Sequence, residues 1–578
     1  MKTDKNRKNM KIRKFTNRLL SLLLLGFVAY ACSSPEAKGP DYSWVYDNIE
    51  FDMPIVQEPV IPNNRINIAD LGAIADGRTL NTQFFAEAID KLTAKGGGSV
   101  IVPAGIWLTG PIVLKSNINI HLEDGALVRF SDDFDLYPIV ESTFEGIMTW
   151  RCQSPISGRD LENISFTGNG VFDGNGQAWR PVKRFKMTAN QWRNLLKSGG
   201  ALVDDGAYWF PSESAALGYV RGNGNNIPIF DTFEEYAEVK DFLRPVMVSL
   251  INCKRVLLDG PTFQNSPAWN IHPLMCEHLT IRNLTVRNPW YSQNGDGLDL
   301  ESCKNVVIYN NNFDVGDDAI CFKSGRDKEG RQRGIPTENV IVKNNVVYHG
   351  HGGFVVGSEM SGGVRNVHVS ECTFMGTNIG IRFKSTRGRG GVVENIYISN
   401  INMIDIPTEP IRFNLFYEGL APVLDDGTSS TGLIGTDVAP KPVTEETPSF
   451  RNIFVKNVVA NGFGNAALFM GLPEMKLQNV RLENAVIRAP KGFNMIDVDG
   501  VELVNVKIIQ ETGPALTIFN SSNVSVSNFQ FDTKENKPGV VVAGAVSENI
   551  KLNRADFADP AAQVITIGGA SKDAVVLN

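Results

Sequence analysis

Seven cysteines in 578 residues form no CxxC pair and no cluster with histidine, which excludes a metal finger and a disulfide framework. Cys253, Cys276 and Cys303 each stand one residue before a repeated phrase, and are expected to stack as small buried thiols. The apolar run LLSLLLLGFVAYA (19–31) is too short to span a bilayer. It follows the basic stretch KTDKNRKNMKIRKFTNR and precedes Cys32-Ser33-Ser34, the pattern of a secretory signal peptide over 1–31. Ala29 and Ala31 before Cys32 resemble a bacterial lipoprotein box, with Cys32 as the lipid attachment site and Ala29 where Leu is usual. The chain is therefore expected to be exported to the periplasm or anchored in the outer membrane of a Gram-negative cell, touching membrane only through that lipid.

Excess positive charge is also missing. Without residues 1–31, Lys+Arg falls from 56 to 48 and Asp+Glu from 63 to 62, a net charge of −14. That balance excludes nucleic acid as the partner and leaves room for an anionic substrate only where cations cluster locally. Hydrophobic residues at 42 % and charged residues at 21 % describe a globular chain.

What the chain has is a repeat. ENISFTGNGV (162–171), KRVLLDGPTF (254–263), EHLTIRNLTV (277–286), KNVVIYNNNF (304–313), ENVIVKNNVV (338–347), RNVHVSECTF (365–374) and ENIYISNINM (394–403) share one pattern. It continues as RNIFVKNVVA (451–460), QNVRLENAVI (478–487), SNVSVSNFQF (522–531) and ENIKLNRADF (548–557). Apolar residues alternate before an Asn-rich corner, which reads as strand, turn, strand. Starts often 23 to 29 residues apart, with several short strands each, predict an all-β parallel β-helix. A propeller or a leucine-rich solenoid requires another period or a repeated LxxLxL. Asn side chains at the corners are expected to form ladders.

The coils are expected to fill 65–578, after an N-terminal linker over 32–64. Within 81–114, Phe84, Phe85, Ala88, Ile89 and Leu92 share a helical face and Gly96-Gly97-Gly98 follows it, so an N-terminal capping helix is expected. Two stretches break the repeat: 174–246, with Trp179, Trp192, Tyr208, Trp209 and Phe210, and 404–450, which includes a Gly/Ser/Thr/Pro-rich loop. Long insertions on a solenoid gather on one face and shape a cleft.

Aligning coils on Ser302, Ser324, Ser358 and Ser385 superposes NGDGLDLES, GDDAICFKS, GHGGFVVGS and TNIGIRFKS. Asp296 then matches Asp318, Asp317 matches His351, Asp299 matches Arg382, and Lys323 matches Lys384. Adjacent coils lie ~4.8 Å apart, so three carboxylates, an imidazole and two cations converge on one face. Like charges so placed cannot all ionise, and one carboxyl is expected to keep its proton, as glycosidic cleavage requires. For the pair Asp317-Asp318 alone, the bland reading is a solvated turn.

NGDG (294–297), GDD (316–318), GHG (350–352) and RFK (382–384) resemble, in order, the four motifs of glycoside hydrolase family 28, the polygalacturonases. Gly295 stands where Thr is usual, and Phe383 where Ile is usual, a change that bears on a subsite wall. The resemblance covers most of 65–460. It implies an inverting hydrolase of α-linked galacturonic acid in pectic polysaccharide or oligogalacturonide, a monomer without cofactor or metal. Asp317 would be the general acid, Asp296 and Asp318 would hold and deprotonate the water, and His351 would tune the acid. Acid and base are expected roughly 6.5–9.5 Å apart to admit that water. Arg382 and Lys384 would bind a uronate carboxylate, supported by the basic patch KSTRGRGG (384–391). Asn294 reads either as a substrate ligand or as a turn residue, Lys323 as a ligand or as a balance for the aspartates, and His349 as structural. The 174–246 insertion and GSEMSGG (357–363) resemble exo-acting bacterial members.

Two other readings use the same residues. A pectate lyase would hold Ca²⁺ on Asp296, Asp317 and Asp318 and cleave by β-elimination. A non-catalytic glycan-binding β-helix would lose nothing on Asp317→Asn. The GHG and RFK phrases fit the hydrolase better.

Overall fold

Alternating apolar residues force the chain into short strands that bury every second side chain, as in Gly98–Val102, where Gly98, Val100 and Val102 face inward. In the computed structural model these strands stack into one 37-stranded sheet whose registered pairs are parallel: a right-handed parallel β-helix. The structure describes residues 41–417, 423–424, 433–434, 439–532 and 538–578. The expected signal peptide 1–31 and Cys32 lie outside the described residues.

The chain divides at Asn48. Of the first unit, residues 41–48 are described and contain a short 3₁₀ turn, Ser43–Tyr46. In the second, the capping helix spans Thr82–Thr93, with Phe85, Ala88, Ile89 and Leu92 buried and Phe84 packed partly against the core. Gly97 carries a φ of +123° and donates to the Leu92 carbonyl at 2.9 Å, which ends the helix. At Gly98 a Cβ would meet the Asn64 carbonyl at 2.4 Å, so the chain can re-enter the first coil there only as glycine.

The corners explain the asparagines. Asn305, Asn339, Asn366, Asn395, Asn452 and Asn479 all adopt φ between +49° and +58°, a left-handed conformation Asn tolerates. From Asn339 onward each side-chain amide donates to the Asn one coil before it, at 2.7–3.3 Å, and Asn305 begins the ladder as an acceptor. A second ladder runs through Asn400, Asn457, Asn484, Asn505 and Asn528 at 2.8–3.1 Å. Inside, Cys253, Cys276 and Cys303 are buried free thiols; the Cys276 sulfur accepts the Cys253 N–H at 3.4 Å and the Cys303 sulfur the Cys276 N–H at 3.3 Å.

The excursions differ from their expected form in two ways. Residues 174–246 do leave the coil, as a three-stranded antiparallel sheet (Val182–Lys183, Tyr208–Phe210, Ala201–Val203) with helices Ala189–Leu196, Glu213–Arg221 and Phe233–Glu238. A hairpin, Ile139–Phe144 with Ile147–Cys152, leaves it too, and its alternating residues had no feature to separate them from a coil strand. Within 404–450, Ile411–Asn414 pairs with residues 381–384 as an ordinary rung, so that departure from the repeat is narrower than expected; most of its loop lies outside the described residues.

Candidate active site

Strand register decides which side chains meet. Leu298 pairs with Ile320, Ile320 with Phe354, and Phe354 with Ile381. Counting back along each coil, Asp296 stands beside Asp318, and Asp317 beside His351. Backbone bonds hold these turns together: Gly297 N–H to Asp318 O at 2.9 Å and His351 N–H to Asp317 O at 2.8 Å. Asp296, Asp317 and Asp318 bring one oxygen each to within 4.8 Å of one another. The two turns are clamped to neighbouring rungs by these backbone bonds, which brings the nearest oxygens this close.

His351 Nδ1 lies 3.0 Å from Asp317 Oδ1. Arg382 Nη1 lies 3.4 Å from Asp318 Oδ1 and Lys384 Nζ 2.7 Å from Oδ2, so both expected uronate ligands already grip a carboxylate. Both also approach the Tyr417 ring, at 5.7 and 5.1 Å. Asn294, at φ +53°, accepts from the buried Arg244 Nη2 at 2.9 Å and serves the turn. His349 pairs with Asp314 at 2.9 Å on the exposed rim, as expected for a structural residue.

Two expectations need correction, and one open reading narrows. Phe383 is fully buried, between Phe354 and Phe413 in an interior aromatic file, because strand side chains alternate; it lines no subsite. The KSTRGRGG patch is largely neutralised, with Arg387 on Glu474 at 2.7 Å and Arg389 on Asp327 at 2.6 Å. Lys323 balances charge under the floor, 2.9 Å from Glu359 and 3.5 Å from Asp299, with its ammonium 4.6 Å from the Trp269 ring centre.

Protonation also departs from expectation. Burial raises Asp296 well above the usual carboxylate range, reinforced by Asp299 and Asp317. Asp299, its oxygens without a hydrogen-bond partner, is raised by burial too, against Lys323. Burial would also raise Asp317, but His351 outweighs it, with Lys384 and Arg382, and holds the carboxyl low. Asp318 is likewise lowered against its burial, by Lys384 and Arg382. The imidazole of His351 is raised by Asp317. In the free protein the proton of the Asp317–His351 pair therefore rests on His351.

Several contributors were not recognised in the sequence. Asp299 occupies an aligned position but was read only as a match to Arg382. Arg244 and Tyr417 lie outside any motif, and Glu359 lies within GSEMSGG but was given no role. Lys186, from the 174–246 insertion, is close enough that its charge acts on Asp317 and on His351. The hairpin forms a wall: Phe144 stacks on Trp269 at 4.8 Å, and Glu145 at its tip pairs with Arg326 at 3.3 Å. Gly295 makes room for Ser292, whose Oγ would lie 1.8 Å from a Cβ at 295.

A carboxylate trio with an imidazole and two cations on the outer face of a parallel β-helix is an arrangement that suits a glycoside hydrolase. Residues 218–462 match the model of "Glycosyl hydrolases family 28", a span holding all four motifs. An exopolygalacturonase from Thermotoga maritima superposes with a TM-score of 0.63 at 31 % identity, over 83 % of this chain and 94 % of that one. The chain belongs to glycosyl hydrolase family 28. An exo-poly-alpha-D-galacturonosidase of Dickeya chrysanthemi is 28 % identical over 61 % of this chain and 57 % of its own length. A "Probable polygalacturonase" of Vitis vinifera is 26 % identical over 75 % of this chain and 77 % of its own.

Proposed function

We propose that this chain is a pectin-degrading hydrolase that removes galacturonic acid from the end of an α-linked galacturonan, with inversion. The observation that carries this reading is the meeting of Asp296, Asp317 and Asp318 within 4.8 Å, beside two cations suited to a uronate. The similarity to an exopolygalacturonase and an exo-galacturonosidase supports the exo mode. The 174–246 insertion, which brings the charge of Lys186 to bear on Asp317, supports it too.

In this reading Asp296 and Asp318, one rung apart, hold a single water between them. A rung of ~4.8 Å suits two hydrogen bonds to one oxygen. Asp317 protonates the leaving oxygen. Its proton comes from His351: a uronate carboxylate arriving at Arg382 and Lys384 draws those cations away from the aspartates and excludes water, which raises Asp317. Asp317 then takes the imidazolium proton and passes it on. Asp296, raised by burial and by Asp299, keeps its proton and hydrogen-bonds the water, while Asp318, ionised in the free site beside Lys384 and Arg382, takes the water's proton as it attacks. The enzyme works after export, tethered by a lipid on Cys32 or free in the periplasm.

Product profiling on polygalacturonic acid and on rhamnogalacturonans tests the substrate and the mode. Monosaccharide as the sole early product of polygalacturonic acid is expected; an early ladder of oligomers overturns exo action. Proton NMR of the first-formed product tests the stereochemistry: a β anomer is expected, and an α anomer overturns inversion. A chelator-sensitive, ultraviolet-absorbing unsaturated product would replace the hydrolase with a lyase.

A further inference from the structure

The cations of the site do not end at Lys384. The strand Thr377–Lys384 pairs in parallel with Ile411–Asn414, setting Arg382 against Arg412. Ile411 and Phe413 are fully buried in the core, so Arg412 projects outward on the face that carries Arg382. On the next rung Arg412 faces Leu468, and on the other side Arg382 faces Val355, so the row holds two arginines and stops. Arg412 stands one rung from Arg382, on the side away from Asp317. Rungs are ~4.8 Å apart, about the length of one pyranose with its linkage.

Arg412 is also held in place. Its Nη2 lies 2.5 Å from Glu409 Oε2, and the Glu409 side chain is 5 % exposed against 29 % for Arg412. The other Glu409 oxygen accepts from Asn465 Nδ2 at 2.9 Å. The Nε of Arg412, like that of Arg382, has no hydrogen-bond partner. One edge of the guanidinium is thus fixed by a buried carboxylate while the side chain still reaches solvent beside the Arg382 row. Service as a counter-ion for Glu409 alone would not require this register.

We propose that Arg412 binds the carboxylate of a second hexuronate on the leaving-group side, so that the site reads two consecutive uronates beyond the scissile bond. This rests on the exo-galacturonan reading above; with Arg382 and Lys384 holding the first uronate past the scissile bond, a dimer reaches those two only and a trimer reaches Arg412 as well. The test compares kcat/KM of the full chain on digalacturonate and trigalacturonate. In the wild type the third residue is expected to raise kcat/KM about tenfold, as one charge-assisted pair would. Arg412→Gln is expected to abolish most of that ratio through KM, and Arg412→Lys to restore part of it. Arg382→Gln is expected to lower both substrates together and keep the ratio. Because Arg412→Gln strands Glu409, the double variant Arg412→Gln/Glu409→Gln, checked for an unchanged Tm, must show the same lost ratio. A wild type with no gain from the third residue, or variants that keep the wild-type ratio, would overturn the second site alone. A wild type inert on both substrates would overturn the galacturonan reading, and this site with it.

Discussion

Two stretches of the same solenoid differ sharply. Between 248 and 414 the strands are mostly three to eight residues long, interrupted by loops, and their outward faces hold Asp299, Glu301, Asp318, Lys323 and Lys384 nearly out of solvent. Between 449 and 519 strands run unbroken for up to 22 residues, and their outward charges, such as Arg481 with Glu483 and Glu502, stay wet. Both stretches share the core and the asparagine corner. The first stretch carries excursions that the second lacks among the described residues: the 139–152 hairpin packs Phe144 on Trp269, and the 174–246 insertion sets Arg244 on Asn294. Desolvation turns paired surface charges into groups with shifted protonation, whereas the same pairs in water contribute little.

That contrast can be broken from either side. The largest effect is expected at Asp317→Asn, which removes the acid: release of reducing sugar should fall by about 10²–10⁴-fold with the far-ultraviolet spectrum unchanged. Next comes Gly295→Thr, whose Cβ has no space beside Ser292 Oγ. Activity should collapse, and Ser292→Gly in the same chain, which removes both Oγ and the Cβ 2.6 Å away, should recover part of it; equal activity of the single and double variants would show that Ser292 does not fill that space.

Lys384→Met leaves Asp318 without its nearest counter-charge and should cost about 3 kcal/mol in urea unfolding at neutral pH. The sign with pH follows from the lowered Asp318 carboxyl. Its stabilisation is complete above its unfolded value of about 4 and vanishes as pH falls through the lower folded value. Acid unfolding of wild type and variant should therefore converge at low pH.

His351 gives a smaller, spectroscopic effect. Its ring protons should titrate above the ordinary imidazole value, and in Asp317→Asn at or below it, because Asp317 is the chief cause of the rise. The smallest effect belongs to the wet stretch: Asn452→Ala, which removes two ladder hydrogen bonds, should cost about 1–2 kcal/mol and leave hydrolysis intact.

Much of the site was legible because a solenoid converts spacing in sequence into adjacency in space. Aligning four serines was enough to pair Asp296 with Asp318 and Asp317 with His351. Tyr417, Arg244 and Lys186 were not legible, since they reach the site from loops and an insertion whose path no repeat constrains. The same limit applied to the hairpin, whose alternation imitates a coil strand.

The order of residues determined the β-helix, its cap, its asparagine ladders and the gathering of three aspartates, because period and alternation act locally and each coil copies the last. Tertiary structure alone decided which carboxyls keep protons, which cations are already engaged, and that Phe383 faces the core while Arg412 extends the cationic row. Those outcomes depend on burial and on distances between segments far apart in the chain, and electrostatic energy is set by what surrounds a charge.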